Sequence, residues 1–184
     1  AFAYSQLLET VNLPASVREI GNTAFQDSLL LENINVGTAS ASFASVDGVL
    51  FNKTLTQLEA YPAGKPATSY TVPASVEIID DRSFISSRAL KTVLFAEGSQ
   101  LTSLVGSVFQ TSGLTSIILP AGVETIGSAF SYATNLTSVT IPASVTDIGG
   151  YAFQGSIKLS SFYFLILRRP LSVNRPIIVS KGIE

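Results

Sequence analysis

Asp80-Asp81 is the only adjacent carboxylate pair in the chain, and carboxylates in close company are what acid–base or metal chemistry would require. That chemistry also needs further groups converging on the pair. His and Cys are both absent, which removes the commonest general base and metal ligand together with thiolate catalysis, cysteine-bound zinc and disulfides. No G-x-S-x-G elbow, phosphate-cradling glycine loop or acidic cluster with ligand spacing occurs. A glycosidase would need two carboxylates about 5–9.5 Å apart across a cleft, whereas Asp80 and Asp81 fall in turn slots that Gly21 and Asn22 fill in another unit. The expectation is a protein with no catalytic residues, metal or cofactor. Asn52-Lys-Thr54 and Asn135-Leu-Thr137 fit the glycosylation pattern, a short motif that matters only in a eukaryotic secretory route. Arg168-Arg169 is too short a basic run for a nucleic-acid patch.

What recurs is a set of uncharged polar side chains in pairs two residues apart: Thr10/Asn12, Asn33/Asn35, Ser69/Thr71, Thr92/Leu94, Ser116/Ile118, Ser138/Thr140 and Ser161/Tyr163. These are candidates for ligand contact, and their spacing follows from the element that carries them. A unit of about 23 residues, Leu-x-x-Val-x-Ile/Leu-Pro at its start and Phe at its close, begins at Leu8, Leu31, Ala67, Leu90, Leu114, Leu136 and Leu159. Periods of about 20–50 residues mark stacked arrays, in which each unit supplies the wall its neighbour lacks. The chain is therefore expected to be a solenoid.

Within a unit, positions one, four and six are apolar and the residues between them polar, the alternation of a short strand with one buried side. Proline follows, as at Pro14, Pro73, Pro120 and Pro142, and ends the strand because it has no ladder donor. A second inward pair comes next (Val17/Ile20, Val76/Ile79, Leu101/Leu104, Val123/Ile126, Val145/Ile148). Gly21, Gly127 and Gly149 after it, with Asp80 in the same slot, are expected at positive φ. Phe25, Phe84, Phe109, Phe130 and Phe153 should then stack as a continuous aromatic spine. If positions four and six point inward, three and five point outward, onto a face with no charged residue. Leu94 and Ile118 would be neighbours there on successive strands, an apolar spot among hydroxyls suited to contact by fit and hydrogen bonding. The plain alternative is that Ser and Thr merely satisfy strand packing on a wet face.

Irregular units carry information as well. The unit from Leu90 has 24 residues because Phe95–Gln100 replaces the proline turn, and the unit from Leu114 has 22, one residue being lost before Phe130. The unit from Leu31 has 36, and its excess, about residues 43–62, reads as a β-hairpin around an Asn52-Lys-Thr54 tip, projecting from the coil. The repeat domain spans 1–164. Residues 165–184 match nothing upstream and are either a C-terminal cap or an unrelated tail.

The motif from Leu136 to Phe153, Leu-x-x-Val-x-Ile-Pro-x-x-Val-x-x-Ile-Gly-x-x-Ala-Phe, resembles the BspA-type leucine-rich repeat, and the segment Val46-Asp47-Gly48-Val49-Leu50-Phe51 with Tyr61-Pro62 is similar to an insertion common in that family. The unit from Leu90 departs from the pattern in lacking the proline and the Ile-Gly pair. The resemblance implies a leucine-rich-repeat solenoid, mostly β, with a concave parallel sheet and short turns or helical turns on the convex side. It further implies a secreted or cell-surface adhesion module binding a host protein or glycan, the alternative being a structural stalk with no ligand of its own. The family offers no shared catalytic or binding motif to carry across.

Composition sets bounds. Charged residues are 13% and the apolar fraction 46%, so the surface must be covered largely by hydroxyls and backbone and the chain is not disordered. A net charge of −2 gives no broad field for nucleic acid or an anionic membrane. The longest apolar run, Phe162 to Leu167, is far short of the roughly 20 residues that span a bilayer. There is no Met, and Ala1-Phe2 stand 23 residues before Ala24-Phe25. We expect a piece of a longer array whose uncapped N-terminal end could self-associate.

Overall fold

The computed structural model describes residues 1–165; the cap or tail expected at 165–184 lies, beyond Leu165, outside them. The leading strand of each unit forms where the alternation places it: β1 (Thr10–Leu13), β2 (Asn33–Val36), β6 (Ser69–Val72), β8 (Thr92–Phe95), β10 (Ser116–Ile118), β12 (Ser138–Pro142) and β14 (Ser161–Leu165). The second pair gives strands of two residues, β7 (Ile78–Ile79), β9 (Ser103–Leu104), β11 (Thr125–Ile126) and β13 (Asp147–Ile148), but none at Val17/Ile20, and Ile148, expected inward, is 39% exposed. Strands pair in parallel with like slots opposed, Thr10 beside Asn33, Ser69 beside Thr92 and Ser116 beside Ser138. The result is a β-solenoid of about seven turns. Its convex side is built of turns, with no helix among the described residues.

The excess in the unit from Leu31 does not project. It is a three-stranded meander, β3 (Phe43–Val46), β4 (Val49–Asn52) and β5 (Gln57–Ala60), that enters the second sheet by parallel pairing of β5 with β7. The run read as one strand before the Asn52–Thr54 tip is itself a hairpin. Asp47 and Gly48, with φ of 50° and 76°, make the two-residue turn that joins Val46 to Val49, a turn whose twist matches the flanking strands. Asn52 closes the second tip by accepting from the N–H groups of Thr56 and Gln57 at 2.9 and 3.0 Å. β4 is buried on both faces: Leu50 packs with Val11, Leu31 and Ile34 in a first core, while Val49 and Phe51 join the main core of the later coils. A strand so placed must be apolar at successive positions, as Val49-Leu50-Phe51 is.

The aromatic spine runs through Phe84, Phe109, Phe130 and Phe153, with ring centroids 5.1–5.5 Å apart. Phe25 does not join it and instead stacks on Phe2 at 5.8 Å. The meander occupies the space between, and Tyr61 at its end fills the ring slot, stacked on Phe84 at 5.1 Å.

The glycines differ from expectation too. Gly21, Gly127, Gly149 and Asp80 are not at positive φ; that conformation falls two residues after each ring, at Tyr4, Asp27, Ser86, Thr111, Tyr132 and Gly155. What Gly127 and Gly149 permit is close stacking of backbone. A Cβ on Gly127 would lie 2.8 Å from the Gly106 nitrogen, and one on Gly149 2.9 Å from the Gly127 carbonyl carbon.

Candidate functional site

The pleat turns positions three and five outward. Thr10, Asn12, Asn35, Ser69, Thr71, Leu94, Ser116, Ile118 and Tyr163 are exposed, and Asn33, Thr92, Ser138, Thr140 and Ser161 are half-buried. They do not form one continuous ladder. Thr10, Asn12, Asn33 and Asn35 lie on a separate β1–β2 pair, while the rest share the five-stranded sheet of β6, β8, β10, β12 and β14. The break comes from the meander: the Ile34 N–H donates to Gly48 O at 2.9 Å, Ser45 Oγ donates to Ile34 O at 2.6 Å, and Asn33 packs under Gly48. On the smaller pair the amides join, Asn35 Nδ2 donating to Asn12 Oδ1 at 2.9 Å.

The five-stranded sheet opens at one place. β8 and β10 pair at Thr92–Ser116 and Val93–Ile117 and then part. Beyond that point β8 follows β6, with Leu94 beside Thr71 and Phe95 beside Val72, while Ile118 stays beside Thr140 on β12. The Leu119 N–H likewise donates to Thr140 O at 3.0 Å. The cause is the loop Phe95–Gln100, which is tied back to the preceding coil by Ala96 N–H to Val72 O and Gln100 N–H to Ala74 O, both 3.0 Å. Between the parted strands lies a recess of about 570 Å³. Leu94 and Ile118 stand in it, 50% and 67% exposed. Phe95, Ala96, Gly98 and Ser99 form one lip, Leu119 to Gly122 the other, and no charged residue lines it. A space of this size, mostly apolar with a few hydroxyls, is of the kind that receives ligand or partner groups. The sequence showed its two floor residues but not its walls, whose signal was the missing proline turn.

The carboxylates lie away from this face. Asp81 is a turn brace: its Oδ1 accepts from the Ser107 N–H at 2.7 Å and its Oδ2 is 3.3 Å from Arg82 Nη1. Asp80 accepts from the Asp81 N–H at 2.8 Å. Glu59 on β5, whose proximity to Asp80 the sequence does not reveal, is pushed up to about 7 by burial and then by the Asp80 carboxylate. Burial and the neighbouring Asp80 charge thus keep the proton on Glu59 to a higher pH. Among the described residues no group of three or more His, Cys, Asp or Glu could hold a metal ion, and no helix is long and apolar enough to cross a membrane.

Comparison with known proteins agrees with this architecture. The model of the BspA type leucine rich repeat region matches residues 1–61 and 59–167, in six copies. The chain is similar to the pneumococcal vaccine antigen PcpA, with 34% identity over 85% of its length and a TM-score of 0.79. It is also similar to a leucine-rich repeat protein of Eubacterium ventriosum (25% identity, 84% covered, TM-score 0.70) and to a leucine rich cell surface protein of Faecalibacterium prausnitzii (26%, 88%, 0.60). The chain spans 39%, 48% and 49% of those three chains respectively. No curated protein sequence gives a significant match.

Proposed function

Since the chain belongs to the BspA-type leucine-rich-repeat family, we propose that it is a non-catalytic adhesion module of a secreted or cell-surface protein, docking a host protein in the recess around Leu94 and Ile118. The observation that carries this reading is the parting of β8 and β10, which leaves two large apolar side chains half or more exposed in a surround without charge. Fully burying such a side chain contributes about 1.5–3 kcal/mol, so covering two that are already partly sheltered is enough to anchor a contact. The names of the neighbours, a vaccine antigen and a cell surface protein, support a place outside the cell.

The test compares the wild type with the double variant Leu94→Asp/Ile118→Asp for binding to immobilised host extracellular-matrix proteins and to epithelial cells. A loss of about tenfold or more is expected, with unchanged melting because both side chains are exposed. Unchanged binding to every surface the wild type holds would sink the recess as the docking site. Should the wild type hold none, the stalk reading takes its place, favoured by the parallel stacking of successive coils. We further propose self-association at the N-terminal end, where Phe2, Leu13, Val17, Ile20 and Phe25 surround a recess of about 310 Å³. A strict monomer by light scattering at high concentration counts against it.

A further inference from the structure

A second recess, on the ridge of turns that follows the aromatic spine, has chemistry of a different kind. In most units six residue steps separate the ring from the next leading leucine, as from Phe84 to Leu90 and Phe130 to Leu136, but only five separate Phe109 from Leu114. The missing residue leaves a gap of about 350 Å³ between the turns of three coils, lined by Arg88, Thr111, Ser112, Gly113, Tyr132, Thr134 and Asn135. The shortened turn is drawn tightly inward. The Gly113 N–H donates to Ser87 O at 3.0 Å, and a Cβ on Gly113 would collide with Arg88 O.

The lining groups converge on one class of ligand. Arg88 has no salt-bridge partner among the described residues, and no carboxylate lines the gap. The acid tied to this part of the ridge, Asp27, is occupied by Ser86 Oγ at 2.5 Å, which in turn meets Thr111 Oγ1 at 2.9 Å. Two further cations flank the gap, Lys91 donating to Arg88 O at 2.8 Å and Lys158 donating to Asn135 Oδ1 at 3.1 Å. The second bond fixes the Asn135 amide with its oxygen engaged and its NH₂ left as donor. Ser112 Oγ is buried and has no partner. Tyr132 is half-exposed, and its ring is backed by Gly155, where a Cβ would come within 2.6 Å of it.

We propose that this gap binds a sugar ring bearing a carboxylate. Arg88 takes the carboxylate in a charge-assisted pair, Thr134 and the Asn135 NH₂ meet ring hydroxyls, and the Tyr132 ring packs against the apolar face of the pyranose. The volume admits one ring and not a folded polypeptide element. This site is independent of the concave recess.

The test is a titration of the whole chain with D-glucuronate, followed by chemical shifts or calorimetry, with D-glucose and acetate as controls. Saturable binding of glucuronate at millimolar concentration is expected, with glucose and acetate each weaker by about tenfold or more. Arg88→Gln should weaken glucuronate by about 10- to 100-fold and leave the glucose response alone. Tyr132→Asn, chosen because Asn tolerates the positive φ of 53° at this position, should weaken glucuronate and glucose alike. No saturation by glucuronate, or acetate binding as well as glucuronate, overturns the proposal; so does an Arg88→Gln variant that is folded by circular dichroism and binds glucuronate normally. If both variants unfold, the comparison of the three ligands on the wild type still decides.

Discussion

Phe109→Ala should be among the most costly single substitutions in the described chain. The ring is fully buried and sits between Phe84 at 5.1 Å and Phe130 at 5.5 Å, so truncation opens a void in the middle of the spine. Removing a buried Phe typically costs about 3–5 kcal/mol, and the simultaneous disruption of ring packing on both sides places this site at the upper end. Phe25→Ala provides the internal comparison. Its ring is half-buried at the edge of the first core and stacks on a single ring, Phe2, itself 37% exposed, so about 1–2 kcal/mol is expected there. In a chain of this size each kcal/mol lowers the melting temperature by about 2–4 °C, so a difference of about 3–4 kcal/mol separates the two variants by roughly 6–16 °C. Urea unfolding followed by circular dichroism gives the same difference as a shift in midpoint at constant slope. Equal losses for the two variants, or a Phe109→Ala loss below about 1 kcal/mol, would refute the idea that the coils share one stacked interior broken only by the meander.

Glu59 makes stability depend on pH. Its folded pKa is raised to about 7 from 4.5, first by burial and then by Asp80, so the unfolded chain loses its proton earlier and the fold loses stability as pH climbs from about 4.5 to 7. Glu59→Gln should add about 1 kcal/mol above pH 7, after discounting for a carboxyl that is only half-buried, and nothing at pH 4; an equal effect at both values counts against the pairing. Gly127→Ala should cost about 1–3 kcal/mol, because the added methyl meets backbone, while Gly21→Ala in the corresponding slot meets nothing within 4 Å and should be neutral or stabilising. Two losses of like size would contradict the stacking reason for Gly127. Tyr61→Phe removes a buried hydroxyl that has no partner and restores the ring that other coils carry, so a gain of about 1–2 kcal/mol in urea midpoints is expected.

The period, the inward side of most leading strands and four-ring stacking were legible because each recurs at a fixed spacing that packing alone explains, as at buried Val93, Ile117 and Val139 between half-buried or exposed neighbours. The meander was harder to read. Its Asp47-Gly48 turn is only two residues long within an apolar run, and β4 lacks alternation because both of its faces are buried. Tyr61 stands 36 residues after Phe25, so its place in the ring slot shows only once the meander is folded. Gly127 looked like a turn residue because closeness to Gly106 is a relation between coils, not a local one. The parting of β8 from β10 was likewise hidden, since it results from competition between the ties of Ala96 and Leu119 to opposite neighbours. The ridge gap was legible in principle, as a five-step interval from Phe109 to Leu114 where its neighbours have six.

Amide hydrogen exchange, mapped along the chain with and without the host matrix protein that the wild type holds most tightly, tests the docking claim most directly. Slowed exchange confined to residues 92–99 and 116–122 is the expected result. Protection of the meander at 43–60 or of the convex turns, with those two segments unchanged, would contradict it.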